Sequence, residues 1–487
     1  MYRPTLANQL PKVSVILLLM GIILVSLFVG VLIAILPWWL TLAFVIIPGI
    51  IFLSFAIPYH GLLLTILLIF NAIPTKYIAP KLLIGGGGLA IYDLLILLLL
   101  ASVLFRCVLT GTPLRSRLDN LFIPLVYVIG CVLVSIFYVR YFSPNLFVIS
   151  EARQHIAWML LPIGVLAIDT STKYRWYINT LLVTAVTVAG IMIFQSLTDI
   201  NIIGGRVEEL DTTNSDVTRS TAGGTTYLII FGVYFFLGAM ISRRLAWWIG
   251  VPLLIILISG LLVTFGRGVW FGTLVGLMVA VYVHRGVAAT VIVPIAAALL
   301  IGAAIAVVSL SDARMGEAII DRALGVSQEL ETGNSYHYRM SESTEALNVI
   351  LDRPIMGVGL GGDYKTSVTP NNTFDGETRY IHNGYLLLPV KMGLHAALIP
   401  VLFIIAGVSL MRRAISIASP TFRHIPAAAT GAFVVPVITS FTQPVWGVLP
   451  GISAICSILL VLLLHTKFGT ELQSAGTTLS NRTSLFP

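Results

Sequence analysis

One arginine stands between two glycines, just ahead of an apolar run, in Thr264-Phe265-Gly266-Arg267-Gly268-Val269-Trp270. The run predicts a helix that opens at Arg267, so the guanidinium and the positive end of the helix dipole would both favour an anion there. Arg267 keeps its proton at any working pH, and its planar fork matches two phosphate oxygens at once. A phosphate-bearing ligand at a membrane surface would suit it. On position alone it is equally an interfacial arginine reaching lipid headgroups.

Further along, Tyr338-Arg339-Met340 is expected to open a helix through Ile350, stopped by Asp352-Arg353-Pro354 and the string Gly357-Val358-Gly359-Leu360-Gly361-Gly362. No strand precedes that glycine string and no lysine-bearing helix follows it, so it reads as a turn rather than a nucleotide loop. The segment Arg379-Tyr380-Ile381-His382-Asn383-Gly384-Tyr385 then leads into another apolar run. His382 therefore begins a second helix. The dipole at such an end favours a neutral imidazole, with one ring nitrogen able to accept a proton as a general base. The alternative is a histidine that only caps the helix.

Other polar residues are weaker candidates. Arg153 and His155 open an apolar run, while Arg206 and Arg219 bracket the acidic loop Glu208, Glu209, Asp211 and Asp216. Arg153 and Arg219 are kept as candidate substrate-binding cations. Tyr336, His337, Tyr338 and Tyr380 could stack on sugar rings, as aromatic faces with polar tips do. Cys107, Cys131 and Cys456 show no CxxC spacing, so neither a disulfide framework nor a zinc site is suggested. There is no D-x-D motif or carboxylate cluster beside the arginines, so no metal and no cofactor are expected.

The elements that must position these residues belong to a membrane. Of 487 residues 57% are hydrophobic and 10% charged, whereas a soluble domain has about a quarter charged. Apolar runs recur that are long enough to cross the ~30 Å hydrocarbon core as helices rising ~1.5 Å per residue. Runs such as 13–36 and 287–310 are apolar on every face, unlike the alternating strands of a membrane barrel. The first is too long, and too well followed by others, to be only a cleaved signal. The expected fold class is all-α: a polytopic transmembrane helical bundle of about fourteen spans. They fall at 13–36, 38–57, 60–73, 89–105, 120–139, 155–168, 176–196, 226–241, 246–264, 268–283, 287–310, 382–410, 425–442 and 446–465.

Placing the N-terminus in the cytoplasm puts fifteen Lys and Arg residues inside, against seven on the short outer loops. That agrees with the positive-inside rule. Both ends are then expected in the cytoplasm. The expected organisation is a transmembrane bundle over 1–310, a helical extracytoplasmic loop subdomain over 311–381, three further spans over 382–465 and a cytoplasmic tail over 466–487. The net charge of +8 is spread over many loops, which argues against nucleic acid. A flippase or transporter of lipid-linked oligosaccharide would also have many helices. Transporters, however, place polar residues and broken helices near the midplane, and the expected spans carry little charge apart from Asp93 and Lys391. Polarity gathered at one surface favours an enzyme.

At three places the sequence resembles the O-antigen ligase superfamily of bacterial envelope glycosyltransferases. Thr264 to Gly268 is similar to the family's T-x-S-R-G, with glycine where serine is usual. Arg339 to Leu351, followed by Pro354-Ile355-Met356-Gly357-Val358-Gly359, resembles its loop helix ending in P-x-x-G-x-G, with Ser343 where an aromatic is common. His382-Asn383-Gly384-Tyr385-Leu386, with Gly393 after it, resembles its H-N-x-Y-L segment. The resemblance implies a GT-C-like, metal-independent glycosyltransferase of lipopolysaccharide or exopolysaccharide biosynthesis. Such an enzyme sits in the bacterial cytoplasmic (inner) membrane with its active site in the periplasm. It would move a glycan from undecaprenyl diphosphate to an acceptor hydroxyl, as a polymerase or a ligase. His382, Arg267 and Arg339 would be catalytic, with Tyr385 and Asn383 beside the substrate. The implied partners are a lipid-linked oligosaccharide donor, a glycan or lipid A core acceptor, membrane lipids and, as a candidate, a chain-length regulator. Extra spans ahead of the matched region tilt the reading toward a polymerase.

Overall fold

The computed structural model describes residues 49, 55–74, 82–84, 87–111, 113–203, 206–209, 218–285, 301–302, 305, 313–324, 334–365 and 379–483. Among them the chain is mostly helix. The first helices are α1 (Pro58–Ile69), α2 (Ile91–Thr110), α3 (Leu114–Leu118), α4 (Phe122–Phe142), α5 (Val148–Ala152), α6 (Leu160–Ala167) and α7 (Ser171–Thr198). They are followed by α8 (Thr225–Ile241), α9 (Trp247–Leu262), α10 (Arg267–Arg285), α11 (Ala313–Leu324) and α12 (Asn334–Asp352). The last four are α13 (Gly384–Met392), α14 (Leu398–Ile417), α15 (His424–Thr439) and α16 (Leu449–Thr483). Two antiparallel hairpins interrupt the helices. β1 (Leu82–Ile84) pairs with β2 (Gly87–Leu89), and β3 (Arg206–Glu209) with β4 (Thr218–Thr221).

The all-α membrane class is as expected. Among the described residues six stretches are long and apolar enough to cross a membrane: Ile91–Thr110, Leu114–Phe142, Ser171–Thr198, Arg267–His284, Leu394–Ile417 and Leu449–Glu471. α1, α8, α9 and α15 are apolar but shorter. The expected spans 13–36, 38–57 and 287–310 lie wholly or largely outside the described residues.

Two expected spans take a different form. The stretch 155–168 begins in a 3-10 turn, Arg153–Met159, and only Leu160–Ala167 is α-helix. The stretch 382–410 is broken in the middle. Gly393 has φ of 92°, and a side chain there would collide with the Ile355 carbonyl. α13 therefore ends, and the 3-10 turn Leu394–Ala397 leads into α14. Neither break disturbs the apolar composition, which is why hydropathy alone missed both.

α16 lies at the centre of the bundle. Its membrane-length stretch is 89% buried inside the protein, against 33% for α2 and for the stretch containing α4. α6, α7, α14 and α15 surround it. The outer faces of α2 and α4 expose Leu97, Phe105, Val108, Ile123, Leu133 and Phe137, as helix faces against hydrocarbon do. α10 and α15 approach closely through small residues, the usual device for bringing membrane helices together. A Cβ on Gly276 would lie 2.6 Å from the Gly431 carbonyl oxygen.

Candidate functional site

The site is built on two helix N-termini. α9 runs out at Leu262, and the next residues reverse the chain into α10. The Thr264 hydroxyl donates to the Leu261 carbonyl (2.7 Å) and accepts from the Gly266 N–H (3.2 Å). Phe265, fully buried, takes a left-handed φ of 49°. The Trp270 indole donates back to the Leu261 carbonyl at 3.0 Å, locking the turn. This fixes Arg267 as the first residue of α10, as the sequence predicts. The side chain is half-buried, and its Nε donates to the Arg322 carbonyl on α11 at 2.8 Å. A Cβ added to Gly266 would meet ordinary contacts, the nearest Val269 at 3.4 Å. Serine would therefore fit where this chain has glycine.

α12 begins at Asn334, a turn earlier than expected, so Arg339 lies inside it rather than at its start. Tyr338, Glu342, Ala346 and Ile350 recur every four residues and line one stripe of the helix. Ala346 and Ile350 pack with Val358, Tyr364, Ile381, Leu387 and Val390 in a small core between α12, the glycine turn and α13. The same stripe carries Glu342 into the interface, where its side chain is 1% exposed. Arg339, one residue past Tyr338 and so ~100° around the helix, is exposed.

Glu342 meets His382. One carboxylate oxygen, Oε2, accepts the His382 backbone N–H at 2.9 Å and lies 3.0 Å from the ring Nδ1. The other, Oε1, accepts from Lys365 Nζ at 3.2 Å, and Lys365 also donates to the Tyr338 hydroxyl at 2.8 Å. The rings of Tyr380 and Tyr338 stand edge-on to His382, with centroids 4.9 Å and 6.1 Å away. Burial pushes the Glu342 carboxyl up, but its interactions with His382 and then Lys365 outweigh that and hold it below its ordinary value. Burial likewise pulls Lys365 down, but the Tyr338 hydroxyl and Glu342 charge leave it raised. Burial, with the Glu342 charge behind it, raises the Tyr364 phenol.

The two N-termini meet at the turn after α15. The Gly384 N–H, which opens α13, donates to the Ser440 carbonyl at 2.7 Å. A Cβ on Gly384 would lie 2.7 Å from the Gln443 carbonyl oxygen, and one on Gly268 would lie 3.0 Å from the Thr442 hydroxyl. Tyr227 of α8 braces this turn through the Thr439 hydroxyl (2.7 Å) and the Gln443 side-chain oxygen (3.0 Å). Asn383 caps α13: its side-chain oxygen accepts from the N–H groups of Tyr385 (3.0 Å) and Leu386 (3.3 Å). The Tyr385 hydroxyl donates to the Val437 carbonyl at 2.7 Å, with its ring 4.9 Å from Phe441.

The remaining sequence candidates sit elsewhere. Arg153 is paired with buried Asp93 at 3.3 Å, and Asp93 also accepts the Ala90 N–H at the start of α2 (2.7 Å). Arg219 lies on β4 opposite Glu208 in register. The next residue, Ser220, donates its N–H to the Val263 carbonyl at 3.0 Å, beside the Arg267 turn. The glycine string is a turn, with φ of 60°, 81° and 78° at Gly357, Gly359 and Gly361. Glu151 accepts the Gly361 N–H (2.7 Å), while buried Lys391 donates to Glu151 (2.9 Å) and to the Gly362 carbonyl (2.7 Å). Lys391 is thus a clamp on the turn.

Sequence reasoning missed Glu342, Lys365, Gln443 and Tyr227. Glu342 had a readable signal, an acid on the buried stripe of α12. Lys365, Gln443 and Tyr227 had none, because only chain folding brings them near His382 or between the two helix ends.

No curated protein matches the chain. Residues 252–401 match the family model described as O-Antigen ligase, a window that contains Arg267, Arg339, Glu342 and His382. That family suggests an O-antigen ligase or polymerase-type membrane glycosyltransferase, with a lipid-linked oligosaccharide and a glycan acceptor as substrates. The match over residues 252–401, which holds all three motifs, supports the chain's place in the O-antigen ligase superfamily.

Proposed function

We propose that the protein transfers a glycan from an undecaprenyl-diphosphate carrier to an acceptor hydroxyl at the periplasmic face of a bacterial cytoplasmic membrane, as a surface-polysaccharide polymerase. The observation that carries this reading is the meeting of two helix N-termini, one bearing Arg267 and one led by His382, at the single turn 439–444. An anion and a hydroxyl nucleophile need these two kinds of group close together.

Arg267 and Arg339 bind the donor diphosphate and stabilise the charge that gathers on it as the bond to the anomeric carbon breaks. His382 takes the proton of the acceptor hydroxyl as its oxygen forms the new glycosidic bond. Two arginines supply positive charge without a metal. Asn383 and Tyr385 shape the approach to His382, and Arg153 and Arg219 are outlying cations of the same face. Residues 311–381 are assigned to a periplasmic loop subdomain, and both chain ends to the cytoplasm. Polymerase is favoured over ligase by the apolar segments ahead of the matched window.

The test is elongation of a single-repeat undecaprenyl-diphosphate glycan by the full chain in nanodiscs, with no other acceptor. Longer products from the wild type and none from His382→Ala are expected. No elongation would reject the polymerase, and transfer to an added lipid A core would then identify a ligase.

A further inference from the structure

The geometry points to Glu342 as the positioning residue of His382: it holds the imidazole with its proton on Nδ1 and so presents the Nε2 lone pair to the acceptor hydroxyl. The second half of this inference rests on the role proposed for His382; the first does not.

An ionised carboxylate has no hydrogen to give, so its contact with a ring nitrogen requires that nitrogen to donate. The 3.0 Å separation from Oε2 therefore puts the proton of a neutral ring on Nδ1 and the lone pair on Nε2. The same oxygen accepts the His382 backbone N–H at 2.9 Å, so one atom fixes both the ring and its own backbone, just ahead of α13. Lys365 holds Oε1 and is itself held by the Tyr338 hydroxyl. Tyr338 stands one turn before Glu342 on α12, so the chain from Tyr338 through Lys365 and Glu342 to His382 closes on a single helix face. Among the described residues, the groups facing the pair include Lys365, Tyr338, Tyr364 and Tyr380. A carboxylate this buried is costly unless paired and hydrogen-bonded. The pairing is met at both oxygens, one by the histidine and one by the lysine.

In the reaction the acceptor O–H proton passes to Nε2 while the acceptor oxygen bonds the anomeric carbon. The electron pair of the broken C–O bond leaves on the diphosphate. The imidazolium so formed is stabilised by Glu342, which stays ionised throughout, as the buried carboxylate does in hydrolase triads.

The experiment compares Glu342→Gln and Glu342→Asp with wild type in the full chain in nanodiscs. Two readouts are used: elongation kinetics on the single-repeat donor, and 15N spectra of ring-labelled histidine with His382→Ala assigning the His382 signals. Glu342→Gln keeps the shape but loses the charge, and its amide can donate to Nδ1. It is expected to lower kcat by roughly 10²-fold or more with KM for the donor within a few-fold, as loss of general-base catalysis does. Its spectrum should lose the Nδ1–H form that wild type shows, and Glu342→Asp should recover part of both. An unchanged tautomer in Glu342→Gln, or a wild-type spectrum already dominated by Nε2–H, would overturn the inference. If His382→Ala still elongates glycan, the proposed role of His382 fails. The tautomer readout is then still decisive for Glu342.

Discussion

Arg267 and Glu342 illustrate how position fixes the duty of a charged residue. Arg267 combines a permanent cation with the first turn of a helix, so its removal should act on the transition state rather than on folding. Arg267→Ala is expected to lower kcat by about 10²- to 10³-fold, in line with loss of one oxyanion donor, while the melting temperature changes little. Activity within a few-fold of wild type would reject the diphosphate role. Glu342 makes a different kind of prediction. Its carboxyl is held below the ordinary value in the folded protein, so its stabilisation is present above the unfolded value of about 4.3. That stabilisation is lost as pH falls through the lower folded value. Thermal unfolding in nanodiscs should therefore drop in acid for the wild type, and drop less steeply for Glu342→Gln. Equal acid sensitivity would mean the pair adds nothing to stability.

At the scale of elements, α10 and α15 carry the site between them. The Gly276 and Gly431 backbones touch, and a Cβ on Gly431 would meet the Gly276 carbonyl at 2.5 Å and Ala280 at 2.7 Å. Gly431→Val must push the helices apart, at a cost of about 1–3 kcal/mol for overpacking. Because α10 begins at Arg267 and α15 ends at the turn that meets Gly384 at the start of α13, two residues after His382, the displacement should also reduce glycan transfer. The variant is expected to melt earlier and to lose activity beyond what the lost folded fraction explains. Gly266→Ser is the matching control, since that position has room for a Cβ, and it should retain both.

The proposed orientation places the candidate site at the periplasmic end of a bundle centred on α16. With a cysteine-free background, single cysteines at Arg339 and Arg412, both exposed, should divide by side. A membrane-impermeant maleimide added to cells with a permeabilised outer membrane is expected to label position 339 and to leave position 412 unlabelled until the inner membrane is opened. Labelling of both from outside would refute the orientation.

Composition alone determined the solvent of this protein and its helical class, because a chain so apolar can satisfy its backbone in hydrocarbon as helices. Spacing alone located Arg267 at a helix start and His382 just ahead of one, because each stands near the boundary between a polar turn and an apolar run; α13 itself opens at Gly384, with Asn383 as its cap. Hydropathy could not register the break at Gly393, since a glycine at positive φ leaves the apolar pattern intact. Nor could it join Glu342 to His382, or lay the turn after α15 between two helix ends. Those contacts depend on how α10, α12, α13 and α15 pack, and packing between residues distant in sequence was decided only by the tertiary structure.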